Sequence, residues 1–302
     1  MLTVKKAINF FENNFSVKEN LEKINFKEKY IEKNLNILND FIQYFLVCEK
    51  KEPISKCQQR YPGYTQWLSL EGNQLYIDWV ECAHSIYNKK ELNLKRNYIY
   101  RDFHQDFLTI DIKSWAKDTP NTSHKELNKH MVAFAKNSKN TKGLYLYGNP
   151  GVGKTYSSIA LANKLAESGH KVAFINTNHL FKKVKSEFGD QTNQEKIINK
   201  ILRADFIFLD DIGSNDISAF DREEVLFYLL DKALVLKKKI WFTSNFNLEQ
   251  LLSILATSKK GDQNLQEVEI MRAKRIKDRI MALAEPLELL GINRFNRSLK
   301  EQ

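Results

Sequence analysis

The sequence predicts an α/β protein whose main domain has a central parallel sheet and follows a smaller, mainly helical N-terminal domain. From Gly143 onward, short apolar runs alternate with helical segments, which is the order of βαβ units. Two of these runs, FIFL and IWF, are continuously apolar, as in parallel strands covered on both faces. Before about Val47, apolar residues instead recur at spacings of three and four, which is typical of amphipathic helices. We place the boundary near Arg96, giving domains 1–95 and 96–302.

Composition limits the class of protein. The chain has 302 residues, 42% of them hydrophobic and 28% charged, which suits two folded domains and argues against disorder. The net charge of +10 indicates either a polyanionic partner such as nucleic acid or a lysine-rich proteome, and both stay open. No apolar stretch is long enough for a membrane span and the first residues are too polar for a secretory signal, so we expect a cytoplasmic protein without membrane contact.

The N-terminal domain is predicted to be helical up to about residue 47, with one short strand over Gln74–Val80. Breaks around Pro53 and at Pro62-Gly63-Tyr64 predict loops. The stretch Tyr87–Thr122 is mixed and is expected to hold the linker. A helix is then predicted over about 124–136.

In the second domain the strands are expected at GLYLYG, KVAFIN, DFIFLDD and KIWFTSN. Helices are predicted over Thr155–Glu167 and Glu223–Val235. A further helical stretch covers about 179–202, with a break near Gly189. This order places the ends of several strands at one edge of a parallel sheet.

The first of these strands runs into a complete P-loop pattern, G-x-x-x-x-G-K-T, at Gly148–Thr155. Its glycines let backbone N–H groups approach phosphate oxygens, and the following helix directs its positive dipole end at the same phosphates. Lys154 is predicted to reach the β- and γ-phosphates of ATP or ADP, and the Thr155 hydroxyl to bind Mg²⁺. The predicted nucleotide-binding residues are Gly148, Asn149, Pro150, Gly151, Val152, Gly153, Lys154, Thr155 and Tyr156.

Two carboxylates end the apolar strand FIFL. Asp210 fits the Walker B acid that holds Mg²⁺, and Asp211 fits the group that polarises the attacking water. Taken alone, Asp211 could equally cap a turn. Together with a P-loop in the same sheet, the functional interpretation is favoured.

Two further segments carry candidate residues. Asn245 follows the strand KIWFTS and could hold the lytic water, supported by Thr243 and Ser244, although an Asn after a strand is also an ordinary turn residue. The basic segment Met271–Ile280 is either a solvated helix face or the source of an arginine that reaches a neighbouring subunit's nucleotide.

Together these motifs resemble the bacterial helicase loaders of the DnaI/DnaC family, and most of all its DnaI-like branch. The resemblance is carried by KGLYLYGNPGVGKT, FIFLDDIG, DREEVLFYLLD, FTSNFNLEQL and AKRIKDRIMALAEPLELLGINR, from Lys142 to the end. It implies an AAA+ ATPase, weak unless assembled, that self-associates, binds the replicative hexameric DNA helicase and helps to place it on single-stranded DNA. It further implies that Asn245 is sensor 1 and that Arg279 is the arginine finger, with Arg275 as the alternative.

In initiator-type relatives an additional helix before Walker B contacts DNA, and Leu180–Lys200 is similar to that insertion. Aromatic rings beside lysines suit single-stranded DNA, although an amphipathic helix with an exposed basic face would look the same. The candidate DNA contacts are Phe181, Lys182, Lys183, Lys185 and Phe188.

The N-terminal third matches the family more weakly. DnaI-like loaders have a zinc-bearing, helicase-binding domain there, and Cys48, Cys57, Cys82 and His84 could supply four ligands for Zn²⁺. The sequence departs from the family pattern, because Lys51 stands where the second Cys of a C-x-x-C pair is expected. A degenerate site with free thiols is the alternative, and this departure favours it.

The motifs leave three functions open. The first is the ATP-dependent helicase loader, which an additional N-terminal domain favours. The second is a transposition helper ATPase with the same AAA+ module. The third is a P-loop adaptor that uses ATP as a structural switch with negligible hydrolysis.

Overall fold

The computed structural model describes residues 2–49, 54–72, 74–117, 122–136, 142–187, 189–257 and 263–291. Internal contacts divide the chain into two compact units, Met1–Leu92 and Asn93–Gln302. The sequence placed a boundary three residues later, inside the helix Ala83–Asn97. None of the helices in the described ranges is long and apolar enough to cross a membrane.

The N-terminal unit packs four helices against a two-stranded hairpin. Its elements are α1 (Val4–Asn13), α2 (Phe15–Lys23), α3 (Lys29–Lys33), α4 (Leu35–Glu49), a 3-10 turn (Ile54–Lys56), β1 (Tyr64–Glu71), β2 (Gln74–Glu81) and the first part of α5 (Ala83–Asn97). The strands are antiparallel, with Leu68 opposite Ile77. Leu68 and Leu75 face the helices and join Phe41 and Ile31 in one core.

Strand β2 confirms the predicted strand, whereas β1 was missed. Apolar and polar residues alternate in β1, but Gln66 takes one of its buried positions beside Leu68. A buried polar residue interrupts the period-two signal that identifies a half-buried strand.

The second unit contains a six-stranded sheet in the order β3-β5-β6-β7-β4-β8, parallel at every pairing. Its strands are β3 (Tyr98–Arg101), β4 (Gly143–Tyr147), β5 (Val172–Asn176), β6 (Phe206–Asp210), β7 (Lys239–Ser244) and β8 (Ala284–Glu288). The four central strands are those that the sequence predicted. The two edge strands, β3 and β8, were not predicted.

Helices cover both faces of this sheet. They are α6 (Ile112–Lys117), α7 (Thr122–Lys136), α8 (Lys154–Glu167), α9 (Thr177–Ser186), α10 (Gln191–Leu202), α11 (Tyr228–Val235), α12 (Leu248–Leu255) and α13 (Gln263–Leu283), with a 3-10 turn (Gln105–Thr109) and a π-helix (Asp221–Phe227). The break predicted near Gly189 separates α9 from α10.

The sheet has one apolar cluster on each face. Ile207 and Leu209 of β6 lie in the cluster with α10, α11 and α13. Phe206 and Phe208 lie in the other, with α7 and α8. Burial on both faces explains why this strand is a continuous apolar run. The carboxyl ends of β4, β6 and β7 therefore meet at one edge, where open α/β sheets bind ligands.

Candidate functional site

The loop after β4 has the backbone geometry of a phosphate cradle. Gly148, Gly151 and Gly153 all have positive φ, at 149°, 81° and 104°, conformations that glycine adopts without strain. A Cβ on Gly148 would lie 2.3 Å from the carbonyl oxygen of Leu289, so glycine is also required by the close approach of the chain that follows β8. Helix α8 begins directly after this loop, at Lys154.

Lys154 is almost fully buried, and its ammonium group is saturated by protein acceptors. Its Nζ donates to the carbonyl oxygens of Gly148 at 2.8 Å and Asn149 at 2.9 Å, and to Oδ1 of Asn245 at 2.8 Å. Burial lowers the pKa of Lys154, and attraction to Asp211 and Asp210 opposes that shift. Phosphate oxygens would replace neutral acceptors by anionic ones, which bind an ammonium more strongly.

Asp210 lies at the end of β6 and is held by two hydroxyls. Thr155 Oγ1 donates to its Oδ1 at 2.9 Å, and Thr243 Oγ1 donates to the same oxygen at 2.6 Å. Burial raises the pKa of Asp210, and the bonds from Thr243 and Thr155 act in the opposite direction. A hydroxyl and a carboxylate side by side form a hard oxygen donor set that suits Mg²⁺.

Asp211 is fixed by backbone geometry and by Thr243. Its φ is 59°, a left-handed conformation that is unusual for a residue other than glycine. Its N–H donates to Thr243 Oγ1 at 2.8 Å, and its Oδ1 accepts from Asn245 Nδ2 at 3.4 Å. Asn245 therefore connects Lys154 with Asp211, and Thr243 connects the two carboxylate residues.

The remaining P-loop positions surround this centre. Val152 is buried, Pro150 is exposed, and Tyr156 is partly exposed with its ring 6.1 Å from that of Trp115. The fold thus assembles all the predicted residues of the nucleotide site at the carboxyl edge of the sheet.

The two candidate arginines lie on α13, next to α11 and the π-helix. The guanidinium carbons of Arg275 and Arg279 are 4.1 Å and 4.4 Å from the centre of the Phe227 ring. Arg279 also pairs with Asp231, from Nε at 3.0 Å and Nη2 at 2.9 Å. These contacts within one subunit fix the direction of both side chains.

The candidate DNA contacts on α9 have different environments. Phe181 is 5% exposed and belongs to the core, so its ring offers no free face for stacking. Lys182 is exposed, Lys183 lies 4.8 Å from the centre of the Tyr100 ring, and Lys185 donates to Asp221 at 2.5 Å. Phe188 lies outside the described residues.

The structure gives no support for a zinc site at the predicted ligands. No group of three or more His, Cys, Asp or Glu residues suited to a metal ion occurs within the described ranges. Cys57 and Cys82 have free thiols, and the Cys82 Sγ accepts a bond from the backbone N–H of Ser85 at 3.4 Å. The side chain of Cys48 lies outside the described residues.

Sequence reasoning missed one contributor to the site. Thr177, the first residue of α9, donates from Oγ1 to the carbonyl oxygen of Asp210 at 2.9 Å. No local pattern in the sequence identifies it, because the contact depends on the pairing of Asn176 at the end of β5 with Asp210 at the end of β6. The residue after β5 must therefore lie beside the Walker B residues.

Comparison with known proteins agrees with this geometry. The family of IstB-like ATP-binding proteins matches residues 93–281. The chain is 30% identical over 283 residues to the replicative helicase loader DnaI of Bacillus subtilis, which covers 92% of this chain and 87% of that protein. It is 34% identical over 115 residues to an ATP-binding protein of insertion sequence IS21 from Pseudomonas aeruginosa, 38% of this chain and 41% of that protein. A crystal structure of DnaI superposes with a TM-score of 0.54 at 26% identity, over 67% of this chain and 99% of that one.

Proposed function

We propose that this chain loads the replicative DNA helicase onto single-stranded DNA at the expense of ATP. The chain belongs to the family of IstB-like ATP-binding proteins, and it is similar along most of its length to the helicase loader DnaI. The observation that carries the proposal is the extent of the match to DnaI. It includes most of the N-terminal unit as well as the ATP-binding unit. A partner-binding unit attached to an ATPase is the organisation that a loader requires.

In this proposal ATP binds with its phosphates on the P-loop. Lys154 exchanges its three protein acceptors, the carbonyl oxygens of Gly148 and Asn149 and the amide oxygen of Asn245, for phosphate oxygens. The side chain of Asn245 is thereby released from the lysine. Thr155 and Asp210, already in contact, would hold Mg²⁺. The metal would supply charge neutralisation to the phosphates.

Hydrolysis then depends on Asp211 and Asn245. The Asp211 carboxylate accepts a proton from, or polarises, the attacking water, and the Asn245 amide orients that water. Their existing contact of 3.4 Å places the two groups close enough to share one water. Arg279 of a neighbouring subunit would complete the site, so that activity is weak until subunits assemble with helicase and DNA.

The DNA-binding part of the proposal rests on charge rather than on stacking. Lys182 and Lys183 on α9 are exposed, and the chain as a whole carries +10. Lysines that follow a phosphate backbone bind in a strongly salt-dependent manner. We therefore assign DNA contact to these lysines and no longer to Phe181, whose ring is buried.

A second candidate function is a transposition helper ATPase. The observation in its favour is the match to the IS21 ATP-binding protein, which is confined to 115 residues. The third, an adaptor with negligible hydrolysis, predicts the same ATP binding without turnover.

The test is a loading assay with purified chain, the replicative helicase and a single-stranded DNA circle that has no free end. We expect stable helicase–DNA complexes only when the chain and ATP are present, and capture of the helicase by the chain in a pull-down. ATP hydrolysis without helicase capture would favour the transposition function. Capture with no measurable hydrolysis would favour the adaptor.

A further inference from the structure

The first turn of α9 is bonded to the backbone of the Walker B residues. Thr177 is buried, and its Oγ1 donates to the carbonyl oxygen of Asp210 at 2.9 Å. Asn176, which caps the helix, pairs with Asp210 across the sheet. The first turn of α9 and the end of β6 are therefore connected, so a shift of one is expected to move the other.

The next residue of α9, Asn178, is connected to Asp211 through one other side chain, that of Ser214. Asn178 Nδ2 donates to Ser214 Oγ at 2.7 Å, and Ser214 Oγ donates to the carbonyl oxygen of Asp211 at 3.2 Å. Two adjacent residues of α9 are thus connected to the two adjacent carboxylate residues, each through a backbone carbonyl.

These bonds matter because the direction of a short Asp side chain is fixed by its backbone. Asp211 is held in a left-handed conformation with φ of 59°, which costs energy and persists only when its surroundings determine it. The bond from Ser214 to its carbonyl and the bond from its N–H to Thr243 lie on either side of that strained residue.

We infer that Thr177 and Asn178 are positioning residues for ATP hydrolysis, and that they transmit the position of α9 to Asp210 and Asp211. The inference rests on the proposed function, because it assumes that these carboxylates serve hydrolysis and that α9 contacts DNA. Neither residue needs to touch the nucleotide.

The other end of α9 explains how a ligand could move the helix. Lys185 lies in the last turn and donates to the buried carboxylate of Asp221, which also accepts from the hydroxyl of Ser218 at 2.6 Å. A polyanion that binds Lys182 and Lys183 also competes with Asp221 for Lys185. Loss of that contact would remove an ion pair that holds the C-terminal end of α9, while the first turn stays bonded to the carboxylate residues.

The first test compares Thr177→Val, which keeps the shape and removes the hydroxyl, with Thr177→Ser, which restores the hydroxyl. We expect Thr177→Val to lower kcat about tenfold, the scale of lost partners around metal-binding carboxylates, while nucleotide affinity, which the P-loop provides, changes far less. Thr177→Ser should recover most of kcat. Ser186→Ala, which removes an exposed hydroxyl bond at the other end of the same helix, is the matched control.

The second test adds oligo-dT to the wild type and to Asn178→Ala, whose side chain is only half-buried. We expect oligo-dT to change kcat in the wild type, and expect this response to shrink at least about threefold in Asn178→Ala while DNA binding by fluorescence anisotropy is retained. Wild-type kcat in Thr177→Val, or an unchanged DNA response in Asn178→Ala, would overturn the inference. A wild type that hydrolyses ATP but fails to load helicase would refute the proposed function instead, and the deficit of Thr177→Val would persist.

Discussion

Lys154 makes three hydrogen bonds to protein acceptors before any phosphate arrives. Two of the acceptors, the carbonyl oxygens of Gly148 and Asn149, belong to the P-loop itself. The lysine therefore holds the P-loop in its curved conformation before a phosphate binds. We predict that Lys154→Ala loses tight ATP binding, by roughly 100-fold or more, because bonds to charged groups contribute about 1.5–3 kcal/mol each. A titration with a fluorescent ATP analogue measures the loss. Lys164→Ala, on the same helix and exposed, is the control and should bind as the wild type does.

Asp211→Asn should separate binding from hydrolysis. Thr155 and Asp210 still offer the metal site, so nucleotide affinity should stay within about threefold. The amide cannot accept the proton of the attacking water, so kcat should fall by about 100-fold or more. Equilibrium titration and steady-state turnover on the same preparation provide the measurement. Turnover at the wild-type rate would remove Asp211 from the mechanism.

Asp210 links catalysis to stability and pH. Burial raises the pKa of Asp210 above its ordinary value. The Asp210 carboxyl therefore stays protonated to a higher pH in the folded protein than in the unfolded chain. Ionised Asp210 therefore costs stability at neutral pH, and the cost disappears as the pH falls through the raised pKa.

We accordingly predict that Asp210→Asn raises Tm at neutral pH by about 2–4 °C, for a gain of about 1 kcal/mol. The variant should lose the additional stabilisation that Mg²⁺ gives with ATP. Thermal unfolding from neutral pH towards pH 4 should show the gain shrinking as the wild-type carboxyl becomes protonated. Asp216→Asn, at an exposed position, should show no gain at either pH.

At the residue scale, the sequence predicts those parts of the site that depend on local spacing. The P-loop and the Asp210-Asp211 pair each lie within one short segment, so their geometry follows from a strand, a turn and a helix. Thr177 escaped prediction, because its contact depends on the pairing of β5 with β6. Phe181 was assigned to DNA because a basic amphipathic helix does not reveal which of its faces the sheet will cover.

At the scale of elements, the P-loop depends on an edge strand that the sequence did not reveal. The N–H of Leu289, just after β8, donates to the carbonyl oxygen of Tyr147 at 2.7 Å. This brings the carbonyl oxygen of Leu289 against Gly148. Strand β8 contains Pro286 and two glutamates, and a Pro inside a strand is typical of an edge position because it cannot donate to the ladder. Its sequence is short and charged, so it contains no apolar run that would predict a strand.

Gly148→Ala tests this packing. The added methyl group would lie 2.3 Å from a backbone oxygen, so either β8 or the P-loop must shift. We expect a loss of about 2–4 kcal/mol in the free energy of unfolding, together with weaker ATP binding. Gly169→Ala also has positive φ but meets no atom within 4 Å, so it measures the backbone strain alone. Urea unfolding of both variants should show the larger loss for Gly148→Ala.

The whole molecule combines an ATP-binding unit with a second unit that has its own apolar core. The central strands and the helices between them were predictable, since each has a strong period or a continuous apolar run. How subunits meet is not encoded in such local patterns. Contact between subunits is therefore best tested at the two candidate arginines of α13, Arg275 and Arg279.

We predict that Arg279→Ala binds ATP almost normally and hydrolyses it poorly in the assembled complex. The P-loop supplies most phosphate contacts within one subunit, whereas an arginine supplied by a neighbour can be worth ~10³-fold in rate. The partner of Arg279 in its own subunit, Asp231, is partly exposed, so losing their ion pair should cost little stability. Arg272→Ala, on the same helix and paired with Glu269, is the control.

Mixing Arg279→Ala with Lys154→Ala separates a contribution in trans from damage within one subunit. Each variant is inactive alone for a different reason, one lacking the arginine and the other lacking ATP. In a mixed assembly, the Lys154→Ala subunit still offers Arg279 to the intact P-loop of its neighbour, so part of the activity should return. Full activity of Arg279→Ala alone, or mixed assemblies that show no recovery at any ratio, would exclude Arg279 as the finger. Arg275, which is exposed and stacks on the same Phe227 ring, would then be tested by the same mixture.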